Sequence, residues 1–192
     1  MPRPREFDTD AAVETAMEVF WEYGYEAASL AELVASMRIG RQSIYNFFGD
    51  KYSLFLAALD HYVDLELDRL APLTTAGSGV QDIDEYFDDR IRWLTTGDER
   101  PGCLLVNSIT ELAAVDEAVA DRAQQFTRRM TSAFATALRH AIKSGEIDPG
   151  FSARQLAHHL TNTALGLAVT AKSGVSRQTL RLAMEAATAV LH

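Results

Sequence analysis

Ile39-Gly40-Arg41-Gln42-Ser43-Ile44-Tyr45-Asn46-Phe47-Phe48-Gly49-Asp50-Lys51 is the stretch on which the fold turns. Glycines bracket a helix-forming run that is too short to be stable alone, which predicts a helix over 40–48 docked on its neighbours. Its leading turn carries Arg41, Gln42 and Ser43, and Ile44, Phe47 and Phe48 read as the rear face that serves the core. Gly49-Asp50 breaks the chain, and Asp50 suits the N-cap of a long helix over 51–70.

Working outward, Val13, Met17, Phe20 and Trp21 follow the spacing of one buried helical face. This predicts a first helix over 8–23, capped by Asp8 or Thr9 and stopped at Gly24. Ser29, with Glu32 three residues on, reads as a capping box opening a second helix striped by Leu30, Leu33, Val34 and Met37. Three short helices with a tight turn between the second and third make a helix-turn-helix unit. Beyond it, loops over 72–79 and 97–102 separate predicted helices over 80–95, 103–115, 116–144, 152–172 and 176–191. No segment alternates like a strand. The expected fold is all-α with about nine helices, divided into a domain over 1–50 and a helical domain over 51–192.

The last two helices carry excess apolar surface, with Leu156, Leu160, Ala164, Leu167 and Ala168 on one and Leu180, Ala183, Met184, Ala187, Val190 and Leu191 on the other. A terminal hairpin has one side to offer its own domain, so the surplus predicts a second copy and a four-helix interface.

The 192 residues are 47% hydrophobic and 23% charged, as in an ordinary globular protein. No apolar run approaches the roughly 20 residues of a membrane span, and the opening Met1-Pro2-Arg3-Pro4-Arg5 lacks the apolar stretch of a signal peptide. A lone cysteine, Cys103, suits a reducing compartment, and the cytoplasm is the expected location. The net charge of −9 opposes binding to phosphate unless cations are gathered locally. They are: every Lys or Arg through Lys51 (Arg3, Arg5, Arg38, Arg41, Lys51) lies in the leading arm or around the proposed turn, whereas Glu14, Glu18, Glu22, Glu26 and Glu32 occupy the preceding helices. Arg3 and Arg5 read either as an arm touching DNA or as a solvated tail.

The quoted stretch resembles the recognition helix and following turn of TetR-family regulators. The upstream pattern Phe20-x-x-x-Gly24-Tyr25 and Ser29-Leu30-x-x-Leu33-Val34 resembles the family as well, over roughly the first 60 residues. The resemblance implies a regulator, by family default a repressor, that binds a double-stranded operator as a homodimer. It also implies a C-terminal domain that dimerises and receives a small-molecule inducer. In such proteins the second helix of the motif enters the major groove. Arg41 then pairs with guanine and Gln42 with adenine, and Ser43 reaches a base or phosphate. Tyr45 donates to phosphate or packs as core under Trp21 or Phe55; Lys51 and Ser29 sit where helix N-termini favour phosphate. Glycine commonly stands in this family's turn where the chain has Arg38. A left-handed residue there costs on the order of 1 kcal/mol, so either a phosphate contact by Arg38 offsets that cost or the turn differs slightly from the family's.

Candidates to line the inducer pocket are Phe87, Trp93, Asn107, Glu111, Phe126, Met130, Phe134, His158 and Asn162, each with core packing as the plain alternative. Cys103, in Pro101-Gly102-Cys103-Leu104, opens a predicted helix, a position that favours thiolate. That stretch resembles one in several TetR-type proteins, some of which sense electrophiles or oxidants through a cysteine. His158 and His159 are adjacent on a helix and point apart, so no metal site is expected. No phosphate loop, nucleophile elbow or zinc motif is present, and Cys103 with His140 forms no dyad by spacing, so neither enzyme activity nor a cofactor is expected.

Overall fold

The computed structural model describes residues 8–96 and 102–192, and among them every regular element is helical. Arg3, Arg5 and most of the expected 97–102 loop lie outside the described residues. The chain divides into two compact units, Met1–Val63 and Asp64–His192.

In the first unit, Asp8 caps α1 (Thr9–Ala27) by accepting from the N–H groups of Asp10 and Ala11, 3.1 Å each. Gly24 breaks the helix as expected, at φ 79°, a conformation open to glycine, but a further helical turn runs on to Ala27. The buried face of α1 is Ala12, Ala16, Met17, Val19 and Phe20; Val13 is only half-buried. α2 (Leu30–Met37), α3 (Arg41–Phe48) and the start of α4 (Lys51–Asp68) follow. Phe20, Leu33, Ile44, Leu54, Phe55 and Leu59 form their common core. Phe20 meets Phe55 edge-on at 5.2 Å between centroids, and Trp21 meets Tyr62 at 5.1 Å.

In the second unit, the expected loop over 72–79 opens instead in a short 3-10 turn, Ala71–Thr74. Pro72 explains it, since a fixed φ near −65° and a missing N–H suit the first positions of a helical turn. α5 (Val80–Leu94) starts where the Glu146 carboxylate accepts from the Val80 N–H at 3.0 Å. A Cβ at Gly79 would stand 2.6 Å from that carboxylate, so any larger residue would make the Glu146 side chain shift. α6 (Leu104–Leu112) is shorter than expected, with Cys103 as its N-cap. α7 (Glu117–Ser144), α8 (Ala153–Lys172) and α9 (Arg177–Thr188) are capped by Asp116, Ser152 and Ser176. A 3-10 turn, Ala189–Leu191, closes the last.

Of the apolar residues whose surplus predicts a second copy, Leu156, Leu160, Ala164, Leu167 and Ala168 of α8 are buried inside this unit, as are Leu180, Met184 and Leu191, while Ala187 and Val190 are half-buried and Ala183 is exposed. Helix periodicity marks an apolar face without saying which body covers it. The large apolar side chains that α8 and α9 present outward are instead Val169 and Leu182, 55% and 59% exposed. No helix among the described residues is long and apolar enough to cross a membrane.

Candidate nucleic-acid interface

The capping box that opens α2 forms in full. The Ser29 hydroxyl accepts from the Glu32 N–H at 3.2 Å, and the Ser29 N–H donates to the Glu32 carboxylate at 2.7 Å. The backbone hydrogen bond to Ser29 holds the Glu32 carboxyl below its ordinary value, so a negative charge already occupies this helix end. That arrangement weakens the expectation that Ser29 holds a phosphate there.

α2 ends at Arg38, whose φ of 54° and ψ of 34° are left-handed, the one such non-glycine residue among those described. The turn thus keeps the glycine-like geometry with an exposed arginine in it. Gly40 then starts α3 without any side-chain cap, leaving the first N–H groups of that helix open to a ligand.

α3 is held by one fully buried side chain, Ile44. Arg41, Gln42, Tyr45 and Asn46 point outward at i, i+1, i+4 and i+5, Tyr45 being 41% exposed. Tyr45 is therefore not core: Phe55 is met by Phe20 and Tyr25, and Trp21 by Tyr62. Phe47, expected in the core, is 55% exposed, and Phe48 is half-buried. An eight-residue helix docked along one edge has room to bury only the row centred on Ile44. Ser43 is half-buried. Lys51, also half-buried, donates from Nζ to the Glu26 carbonyl at 3.4 Å and lies 4.5 Å from the Tyr25 ring centroid.

Asn46 was not among the residues expected from sequence. Its Oδ1 accepts from Gln42 Nε2 at 3.0 Å, which joins two side-chain amides on the outward face. Their i, i+4 spacing was the available signal. A guanidinium, two linked amides and a phenol on one exposed helix face are groups chemically able to contact base edges and phosphates.

Comparisons with known proteins give the family. The profile described as "Bacterial regulatory proteins, tetR family" matches residues 12–58, and "Tetracyclin repressor-like, C-terminal domain" matches residues 79–187. The chain belongs to the TetR family. This is a family of transcription regulators. It is 31% identical to the HTH-type transcriptional repressor ComR of Escherichia coli, over 93% of this chain and 86% of that one. It is 33% identical to the HTH-type transcriptional regulator YezE of Bacillus subtilis, over 90% of each. A solved structure of a cysteine mutant of the TetR family transcriptional regulator CifR, complexed with 26bp double-strand operator DNA, superposes with a TM-score of 0.81 at 33% identity, covering 98% of this chain and 99% of that one.

The second TetR unit scatters the residues expected to line an inducer pocket. Phe87, Phe126, Met130 and Phe134 are buried core; Phe87 stacks on Phe134 at 5.7 Å, and Tyr86 meets both edge-on at 5.3 Å. Cys103 is buried. Asn107 is half-buried, accepting from Lys172 Nζ at 2.9 Å. Glu111, His158 and Asn162 are exposed and do not join the aromatic cluster, because each falls on the solvent side of its helix. His158 lines a shallow groove with Thr127, Thr131 and Ser132. Trp93 is half-buried, with the guanidiniums of Arg69 and Arg90 over its ring at 5.0 and 5.2 Å.

A more enclosed cavity of about 200 Å³ lies elsewhere, lined by the last turn of α4, the Ala71–Thr74 turn and α5, and none of the ten candidates lines it. Beside it, Glu66 forms a buried ion pair with Arg90 and a second pair with Arg69 at 3.3 Å. The signal missed in the sequence was an arginine on the apolar stripe of α5, since Arg90 falls among Ile83, Phe87, Ile91 and Leu94, all buried. Burial pushes the Tyr86 phenol up to about 12, Arg90 opposing and Glu66 and Cys103 adding to the rise. Among the described residues no cluster of His, Cys, Asp and Glu is placed to hold a metal ion.

Proposed function

We propose that the chain is a ligand-responsive repressor that binds a palindromic operator as a homodimer and is released by a small-molecule or thiol-reactive inducer. The observation that carries this reading is the outward face of α3, where Arg41, Gln42, Tyr45 and Asn46 stand exposed beside an uncapped helix start. Arg41 and Gln42 read base edges; Ser43, Tyr45, Arg38 and Lys51 hold phosphates, with Ser29 a weaker contributor. The operator complex of CifR supports the DNA assignment by likeness.

Half-sites one helical turn apart, about 34–36 Å, require two recognition helices at a fixed separation. An inducer that binds a misspaced state better lowers operator affinity by that difference. The thiol arm of the reading rests on Cys103, buried at the start of α6 in a TetR-type helical unit. Replacement of Cys103 by serine should abolish release by N-ethylmaleimide and leave basal DNA binding intact.

The deciding experiment is a footprint on DNA flanking the gene. A protected palindrome is expected. In the same assay Arg41→Ala should cost about 1–3 kcal/mol at the best site and relax its sequence preference, while Lys51→Ala weakens all sequences alike. No binding to any flanking fragment at low salt would overturn the proposal.

A further inference from the structure

Residues three and four apart share a helix face, so α3 falls into four rows: Arg41 with Tyr45, Gln42 with Asn46, Ser43 with Phe47, and Ile44 with Phe48. Ile44 is fully buried and Phe48 half-buried, which makes theirs the inward row. The row opposite is Gln42 and Asn46, whose amides join at 3.0 Å. Its two flanks differ in chemistry. On one side stand Arg41 and Tyr45, a guanidinium and a phenol. On the other, Ser43 is half-buried and Phe47 is 55% exposed. Among the described residues of the first unit, Phe47 is the one large exposed side chain without a polar atom; Tyr23 and Tyr45 each carry a hydroxyl. A lone apolar side chain on a surface carries no meaning by itself. This one borders the amides of the outward row.

We propose that Phe47 is a specificity-determining residue that packs its ring on the C5-methyl of one thymine in each half-site, beside the bases met by Gln42 and Asn46. The major groove presents donors and acceptors on every base pair and a single apolar group, the thymine methyl. A phenyl ring neither donates nor accepts, so that methyl is the one feature of a base edge to which it is matched. Burying the pair removes apolar surface from water on both partners, a gain that cytosine, guanine and adenine do not offer. The assignment rests on reading α3 as a recognition helix and adds a base preference carried by its apolar flank.

The probe is the duplex that the full chain selects from a random-sequence library, with binding read by fluorescence anisotropy. Each thymine is replaced in turn by deoxyuridine, which removes the C5-methyl and keeps the O4 acceptor. At one thymine of a half-site the replacement should weaken the parent about fourfold, the worth of burying one methyl-sized group. The same replacement should cost Phe47→Ala nothing, so that the two changes couple. At every other thymine the two proteins should lose alike. Phe47→Leu, still apolar, should keep the thymine preference, and cooperative urea unfolding of both variants separates a lost contact from a lost fold. Equal deoxyuridine penalties in the parent and Phe47→Ala at every thymine overturn the assignment and leave the recognition reading of α3 standing. So does a loss with Phe47→Ala that is uniform over all sequences, which would place the ring on the sugar–phosphate backbone. Failure of the parent to select any sequence overturns the recognition reading and this assignment with it.

Discussion

Arg38 stores strain at the turn between α2 and α3. Its left-handed backbone (φ 54°, ψ 34°) presses an arginine Cβ on the next carbonyl, a cost of roughly 1–2 kcal/mol that glycine avoids. Arg38→Gly should recover that strain and give back roughly 0.4–1 kcal/mol through a freer unfolded chain. The net expectation is stabilisation of about 0.5–1 kcal/mol in urea unfolding, together with weaker operator binding at low salt. Unchanged DNA affinity would remove Arg38 from the phosphate contacts. At Asn46, replacement by alanine releases the Gln42 amide from its 3.0 Å hydrogen bond. Binding-site selection should then show relaxed preference at one base pair, costing about 1–3 kcal/mol at the best site, with the salt dependence unaltered. The exposed places of Arg41 and Gln42 at the start of α3 were legible because a helix start fixes which residues lead it. The link between Asn46 and Gln42 depends on a side-chain pairing, and the exposure of Phe47 depends on how few residues a short docked helix buries; neither is a local property of sequence.

Helix starts were the most legible elements, since a cap is a contact within three residues of sequence. Asp8, Ser29, Asp116, Ser152 and Ser176 all accept from the backbone of the helix they open. Ser29→Ala should cost about 1 kcal/mol of stability, read as a lower urea midpoint. The cap of α5 was not legible, because Glu146 arrives there from 66 residues away along the chain to meet Val80. Glu32 and Glu146 both lie below their ordinary value of 4.5, Glu32 through the Ser29 backbone and Glu146 through Ser144 first and the Val80 N–H second. A carboxylate lowered in the fold adds stability that is present above its unfolded value and lost as the pH falls through the folded one. Stability should therefore decline as the pH drops below 4.5. In the Glu32→Gln, Glu146→Gln protein that decline should flatten, the gap to the parent closing at low pH in urea titrations. A gap that stays constant with pH would assign both residues a packing role instead. Ends of the apolar helices in the second unit were less legible, and so was the body that covers them.

The whole chain carries a net charge of −9, yet a DNA reader must neutralise phosphates. The two facts are compatible only if the cations are concentrated at the recognition helix, and Arg38, Arg41 and Lys51 are the described cations there. Two protomers would bring six of them to one operator, which gives a slope of log affinity against log salt near −5, at about −0.9 per neutralised phosphate. One protomer would give about half of that. The proposed dimer is therefore measurable through salt as well as through mass. Val169 on α8 and Leu182 on α9 stand 55% and 59% exposed, and large apolar side chains so exposed at neighbouring helices suit a symmetric four-helix contact. Replacing both by glutamate places like charges across a two-fold axis and adds to a chain that is already acidic, so association should be lost without disturbing the buried core of the unit. Sedimentation should show the mass falling from dimer to monomer, and the salt slope should fall by about half in parallel. A variant that remains dimeric would move the interface off α8 and α9. A variant that becomes monomeric with the slope unchanged would mean that one recognition helix already makes all the phosphate contacts, and the palindromic reading would fail with it.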